Sequence, residues 1–188
     1  MRYFIDCEFD GHNGPLLSVA LVCEDGESIH IEVDEVASDP WVLLNVIPLM
    51  ECHNATDCTR VHPYKVGNTI RWFLADDDHP VIVADSPVDI GRFCQALSTG
   101  SDGLWASADY PRMTFEVHNV DCYPTTLADA VQHNAWWDAM ALQAKLADEL
   151  GFDVVQRGEQ KPLPPLKAAL DFDHEHRDGH LDYSERGE

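Results

Sequence analysis

A chain of 188 residues with 45% hydrophobic content holds enough apolar material for one full core and needs no second one. Its formal charge of −22, from 12 Lys and Arg against 34 Asp and Glu, excludes a broad basic face and with it long duplex DNA as a ligand. The longest apolar run, Leu16 to Cys23, is too short to cross a bilayer, the opening residues lack a secretory pattern, and the six cysteines show no Cys-x-x-Cys spacing, so a cytoplasmic protein with reduced, buried thiols and no membrane contact is expected.

Arg2 to Phe9 reads as the first strand. Residues two apart share a face of an extended chain, so Phe4, Asp6 and Glu8 point one way while Tyr3, Ile5, Cys7 and Phe9 point the other. Two acids side by side in an apolar strand repel, and their burial is costly without a proton, a basic side chain or a cation between them. Apart from His12 and His30, no basic residue follows before Arg60. A divalent cation and a solvent-facing edge strand both account for the pair, and oxygen-only ligands favour Mg²⁺ or Mn²⁺. Leu16 to Cys23 and Ser28 to Val33 are the next two strands, joined by the turn Glu24-Asp25-Gly26-Glu27.

Asp39-Pro40 is a cap and first position for a helix running through Trp41 to Ile47, and a second helix covers about Tyr64 to Leu74. Val81 to Ala84 is a short buried strand leading into the helix of Asp89 to Leu97. Asp85 and Asp89 fall at that junction, and Asp85 with Ser86-Pro87 behind it reads as the helix cap. A fifth strand spans Met113 to Val117, a short helical turn Leu127 to Val131, and a final helix Ala135 to Leu150. Asn134 is a good cap for that helix, which places His133 just outside it and Asp138 on its second turn. The loop can then fold the imidazole toward the carboxylate, although two helical residues at this spacing would lie about 140° apart. Beyond Arg157 a Pro-rich stretch and a charged, His-rich end lack large apolar residues, giving a domain of residues 1–157 and an arm or flexible tail of residues 158–188.

The ordered set Asp6-x-Glu8, Asp89 and His133-x4-Asp138 resembles the DEDDh branch of the DnaQ-like, ribonuclease H-like 3′-to-5′ exonucleases, over roughly residues 1 to 150. One departure stands out: the family's second motif usually reads Asn-x3-Asp, and here Asp85 occupies the Asn position. The resemblance, closest to the compact stand-alone bacterial and phage exoribonucleases, implies an α/β, ribonuclease H-like mixed sheet of five strands flanked by helices. It further implies hydrolysis of single-stranded RNA or DNA from 3′ ends to nucleoside 5′-monophosphates, supported by two Mg²⁺ or Mn²⁺ ions. Asp6, Glu8, Asp89 and Asp138 would be the metal ligands, with Asp85 the rival or supporting acid to Asp89, and His133 the general base. Phe9, after Glu8, would lie under the terminal nucleotide, a role it shares with an equally good reading as core.

Other features carry less. Cys52, His53, Cys58 and His62 have the wrong spacing for zinc, and His174, His176 and His180 are irregular. Of Trp136 and Trp137, at most one can face a cleft. A homodimer closed by the Pro-rich arm remains compatible with the sequence. Three alternatives stay open: a single-stranded DNA 3′ exonuclease, a catalytically weak nucleic-acid-binding relative, and a metal-dependent nucleotidase.

Overall fold

The computed structural model describes residues 1–50, 58–99 and 112–152. Strand β1 (Arg2–Phe9) is the axis of the sheet, with β2 (Leu16–Cys23) antiparallel on one side and β3 (Ser28–Val33) antiparallel beyond it. On its other side β5 (Val81–Ala84) runs parallel to β1, and β6 (Thr114–Val117) parallel to β5. With a further strand, β4 (Thr59–Val61), at one edge, the sheet is six-stranded, in the order β4-β3-β2-β1-β5-β6. The expected five strands lacked β4, which pairs in parallel with β3. Three residues on a sheet edge are too few to display a two-residue alternation, so this strand leaves no periodic signal in the sequence.

Helices cover both faces. Helices α3 (Val66–Leu74) and α4 (Pro87–Leu97) pack through Ile70, Phe73 and Phe93 on the Tyr3, Ile5 and Cys7 side of β1. Helix α5 (Ala135–Leu150) covers the opposite side, setting Met140 against Ala20 and Val22, and Leu142 against Phe4 and Val83. The two-residue period read from β1 therefore assigns Phe4, Asp6 and Glu8 correctly to the α5 side. Backbone meets backbone where α3 crosses α4: a Cβ on Gly67 would stand 2.5 Å from the Ala96 carbonyl oxygen, so glycine alone fits there. Arg71 ties the same end of α4 down by donating to the Leu97 carbonyl.

Two expectations are corrected, and the limit of one cleft-facing tryptophan is met with none. The helix after Asp39 is two pieces, α1 (Pro40–Asn45) and α2 (Ile47–Met50), because Pro48 cannot continue a helix begun at Pro40 and suits the first turn of a new one. Leu127 to Val131 is not helical, since Asp129 takes a left-handed backbone (φ 65°) that breaks any helical run. Neither Trp136 nor Trp137 reaches a cleft: both are buried, their rings 4.7 Å apart, and the Trp136 indole N–H donates to the Ser28 hydroxyl. Cys52, His53 and the segment 158–188 lie outside the described residues, whereas His62 accepts the Tyr64 N–H through its ring and caps a 3₁₀ turn, Pro63–Lys65. Among the described residues no helix is long and apolar enough to cross a membrane.

Candidate active site

Strands β1 and β5 pair only from Arg2 to Phe4, so the second half of β1 has no strand on that side. Val83 is opposite Phe4, and the chain leaves β5 one residue later, which delivers Asp85 beside Asp6. The Ser86 hydroxyl accepts the Val88 N–H and caps α4, with Pro87 at its first position. Asp85 is thus not the cap. Its carboxylate oxygen instead lies within 4.8 Å of those of Asp6 and Asp89, the latter projecting from the first turn of α4.

A second trio forms across the gap. Asn134 caps α5 by accepting the Trp137 N–H, which leaves His133 outside the helix with a left-handed backbone (φ 66°). That conformation costs a non-glycine residue about 1–2 kcal/mol. The His133 N–H donates to Asp138 Oδ2 at 2.9 Å, closing the loop back onto the helix. A ring nitrogen of His133 and carboxylate oxygens of Asp138 and Glu8 then lie within 4.8 Å of one another. The sequence-predicted His133, Asp6, Glu8, Asp89 and Asp138 all line one cleft of about 470 Å³, together with Phe9.

Phe9 reaches this cleft because the β1–β2 register shifts between Glu8 and Phe9, a bulge that re-aims the ring. It also packs against the core. The Arg92 guanidinium lies 4.6 Å from its ring centre.

Electrostatics mark the cleft strongly. Asp6 is pushed well above the usual carboxylate range by burial, then by the charges of Asp138, Glu8, Asp89 and Asp85. Burial, with Asp138 and Asp89, raises Glu8 to about 8; burial and Asp85 raise Asp89 to about 7. Asp138 rises to about 6 through burial, against the pull of the Tyr123 hydroxyl and the His133 N–H. Burial alone lifts Asp85 and lowers His133, so the imidazole favours its neutral form. Asp138 Oδ1 is buried, and the Tyr123 hydroxyl lies beside the same carboxylate. A buried set of carboxylates whose ionised forms are opposed by burial and by one another matches the oxygen donors that Mg²⁺ or Mn²⁺ takes.

Three residues of the site were not anticipated. Asp10 follows Asp6 and Glu8 at the same spacing yet holds structure, accepting the Ser38 N–H (2.9 Å), the Ser38 hydroxyl (2.7 Å) and the Asp39 N–H (2.8 Å). This fixes the start of α1, whose Trp41, 56% exposed, sets its ring edgewise against His133 with centres 5.4 Å apart. Tyr123 is the third, its buried hydroxyl beside the Asp138 carboxylate. An exposed tryptophan just inside a capped helix was the available signal for Trp41; the placement of Tyr123 has none, because it follows from the path of an irregular loop.

The chain matches no family model. It is 42% identical over 53 residues to proteins named as 3′-5′ exoribonucleases from two strains of Mycobacterium tuberculosis, CDC 1551 / Oshkosh and ATCC 25618 / H37Rv. The likeness is local. It covers 26% of this chain and 32% of each relative, so the chain spans about a third of the length of the curated relatives it matches. A nuclease is the coarse reading that this similarity favours.

Proposed function

We propose that the chain is a metal-dependent 3′-to-5′ exonuclease of the ribonuclease H-like, DEDDh type, acting on single-stranded nucleic acid, with RNA as the favoured substrate. The observation that carries the reading is the convergence of Asp6, Glu8, Asp89, Asp138 and His133 in one cleft, where burial first and neighbouring carboxylates second oppose the charge on Asp6. The preference for RNA rests on the local similarity to the mycobacterial exoribonucleases.

Asp6, Glu8, Asp89 and Asp138 would hold two Mg²⁺ or Mn²⁺ ions, with Asp85 supporting Asp6 and Asp89. Such ions supply a stronger water nucleophile and offset charge on the departing 3′ oxygen. His133 accepts the proton of the attacking water, since burial keeps its ring neutral and the Asp138 contact fixes the loop that bears it. Phe9 and Trp41 supply apolar walls for a terminal nucleoside, and Glu8 can accept a hydrogen bond from its 3′ hydroxyl. The products are nucleoside 5′-monophosphates.

Matched RNA and DNA single strands, each with a free or a blocked 3′ end, test the proposal directly. Mg²⁺-dependent release of 5′-monophosphates from free 3′ ends only, faster on RNA, is the expected result. Equal hydrolysis of 3′-blocked strands, or of mononucleotides alone, assigns the cleft to a different phosphoesterase.

Two further outcomes separate the acids. Asp89→Asn is expected to abolish activity, and Asp85→Asn to lower it to a lesser degree, measured as kcat at saturating Mg²⁺. Tyr123→Phe removes one hydroxyl beside Asp138 and is expected to weaken Mn²⁺ binding by about 10-fold, the usual effect of losing a hydrogen-bonding support to a metal ligand. Calorimetric titration of the two proteins with Mn²⁺ checks this.

A further inference from the structure

A second hollow of about 260 Å³ lies beside the cleft, lined among others by Asn13, Tyr64, Arg92 and Gln95. We propose that it binds the nucleotide preceding the scissile bond of a single strand, an inference that rests on the exonuclease reading of the cleft. Three observations carry it.

The first is continuity. The turn between β1 and β2 forms a ridge: Gly11 and His12 line the cleft, while Asn13 to Leu16 line the hollow. Arg92 fixes that ridge by donating to the His12 and Gly14 carbonyl oxygens, each at 2.9 Å, while its guanidinium covers Phe9. A strand with its end in the cleft would pass from one hollow to the other over the Phe9 and Arg92 stack.

The second is charge. In a chain of net charge −22, a polyanion needs local cations. Arg92 stands in the wall of the hollow, and Lys65 follows Tyr64. Among the described residues neither is ion-paired to a carboxylate, whereas Arg2 and Arg60 are paired to Glu24 and Glu32. Two of the five guanidinium N–H groups of Arg92 are used on the ridge, which leaves others for a phosphate oxygen.

The third is an aromatic platform. Tyr64 is 44% exposed, and His62 tilts against one side of its ring with centres 4.8 Å apart. Stacking on such a ring accepts any base, as a single-strand nuclease without sequence preference requires. Asn13, Gln95 and Glu35 add hydrogen-bonding groups suited to base edges or a ribose hydroxyl. The volume accommodates one base with part of its sugar.

Tyr64→Ala and Tyr64→Phe in the full chain test the assignment with two substrates. The p-nitrophenyl ester of thymidine 5′-monophosphate carries a terminal nucleotide with no nucleotide before it, only the p-nitrophenyl leaving group; a pentanucleotide occupies both hollows. Tyr64→Ala is expected to raise KM for the pentanucleotide by about tenfold, with kcat and ester hydrolysis unchanged, and Tyr64→Phe to behave as wild type. Fluorescence anisotropy of a labelled pentanucleotide should show the same tenfold weakening in Kd for the alanine variant alone. Equal effects on ester and pentanucleotide, or no effect on pentanucleotide affinity, overturn the inference. If the wild-type protein hydrolyses neither substrate, the exonuclease reading fails, and the anisotropy comparison still decides whether the hollow binds a strand.

Discussion

Replacing His133 with Ala is expected to lower turnover by about 10²- to 10⁴-fold with little change in melting temperature, the effect of removing a general base. The backbone bond from residue 133 to Asp138 survives the change, because it uses the main-chain N–H and not the ring. The left-handed backbone at this position complicates a simple alanine test, since alanine tolerates it poorly. Asparagine adopts that conformation more readily, so His133→Asn separates a missing base from a displaced loop. If both variants lose turnover alike, the ring is responsible. If His133→Asn retains near wild-type kcat across pH 6 to 9, another group takes the proton. Removal of the base should also abolish the acid limb of kcat/KM that reports an imidazole lowered by burial.

The second large effect concerns Asp6, where activity and stability should move in opposite directions. Asp6→Asn is expected to eliminate Mg²⁺-dependent hydrolysis yet raise the melting temperature of the metal-free protein at neutral pH. Asp6 partly faces the cleft, and its charge is opposed by burial and by Asp138, Glu8, Asp89 and Asp85. The sign follows from linkage. These folded-state values are raised above those of an unfolded chain, so their contribution to stability is complete below about pH 4 and disappears as pH climbs through the folded values. With Asp138 at about 6, Asp89 at about 7 and Glu8 at about 8, the loss falls between about pH 4 and 8. Thermal melts in EDTA across that range should show a declining wild-type melting temperature, a shallower decline for Asp6→Asn, and recovery of the wild-type value on adding Mg²⁺. Equal slopes for the two proteins would mean that this cluster does not govern the metal-free stability.

That Asp6 and Glu8 belong to a shared cleft was readable because these acids violate local preference. Asp6 and Glu8 stand in a strand that otherwise selects apolar residues, and such a conflict points to a site. The caps were half readable: Asp39 and Asn134 perform as expected, whereas Asp85 and Ser86 are both good caps and adjacent, so local rules could not choose between them. Choosing requires knowing that β5 ends one residue beyond its last pair, Val83 with Phe4, a fact of sheet register. Asp10 shows the opposite failure. It continues the alternation of Asp6 and Glu8, but the bulge after Glu8 and the tight turn remove it from their row and turn it toward Ser38 and Asp39. Trp41 and Tyr123 reach the site through contacts distant in sequence, which no window of neighbouring residues contains.

The crossing at Gly67 makes α4 behave as a lever. Its far end is wedged where α3 and α4 touch main chain to main chain, and its near end bears Asp89. A methyl group at residue 67 must displace the Ala96 or Thr99 carbonyls, and a rigid helix passes that displacement along its length. Residue 67, with no surface on the cleft, is therefore a place where one carbon atom could detune the spacing of the acids while the rest of the sheet stays intact.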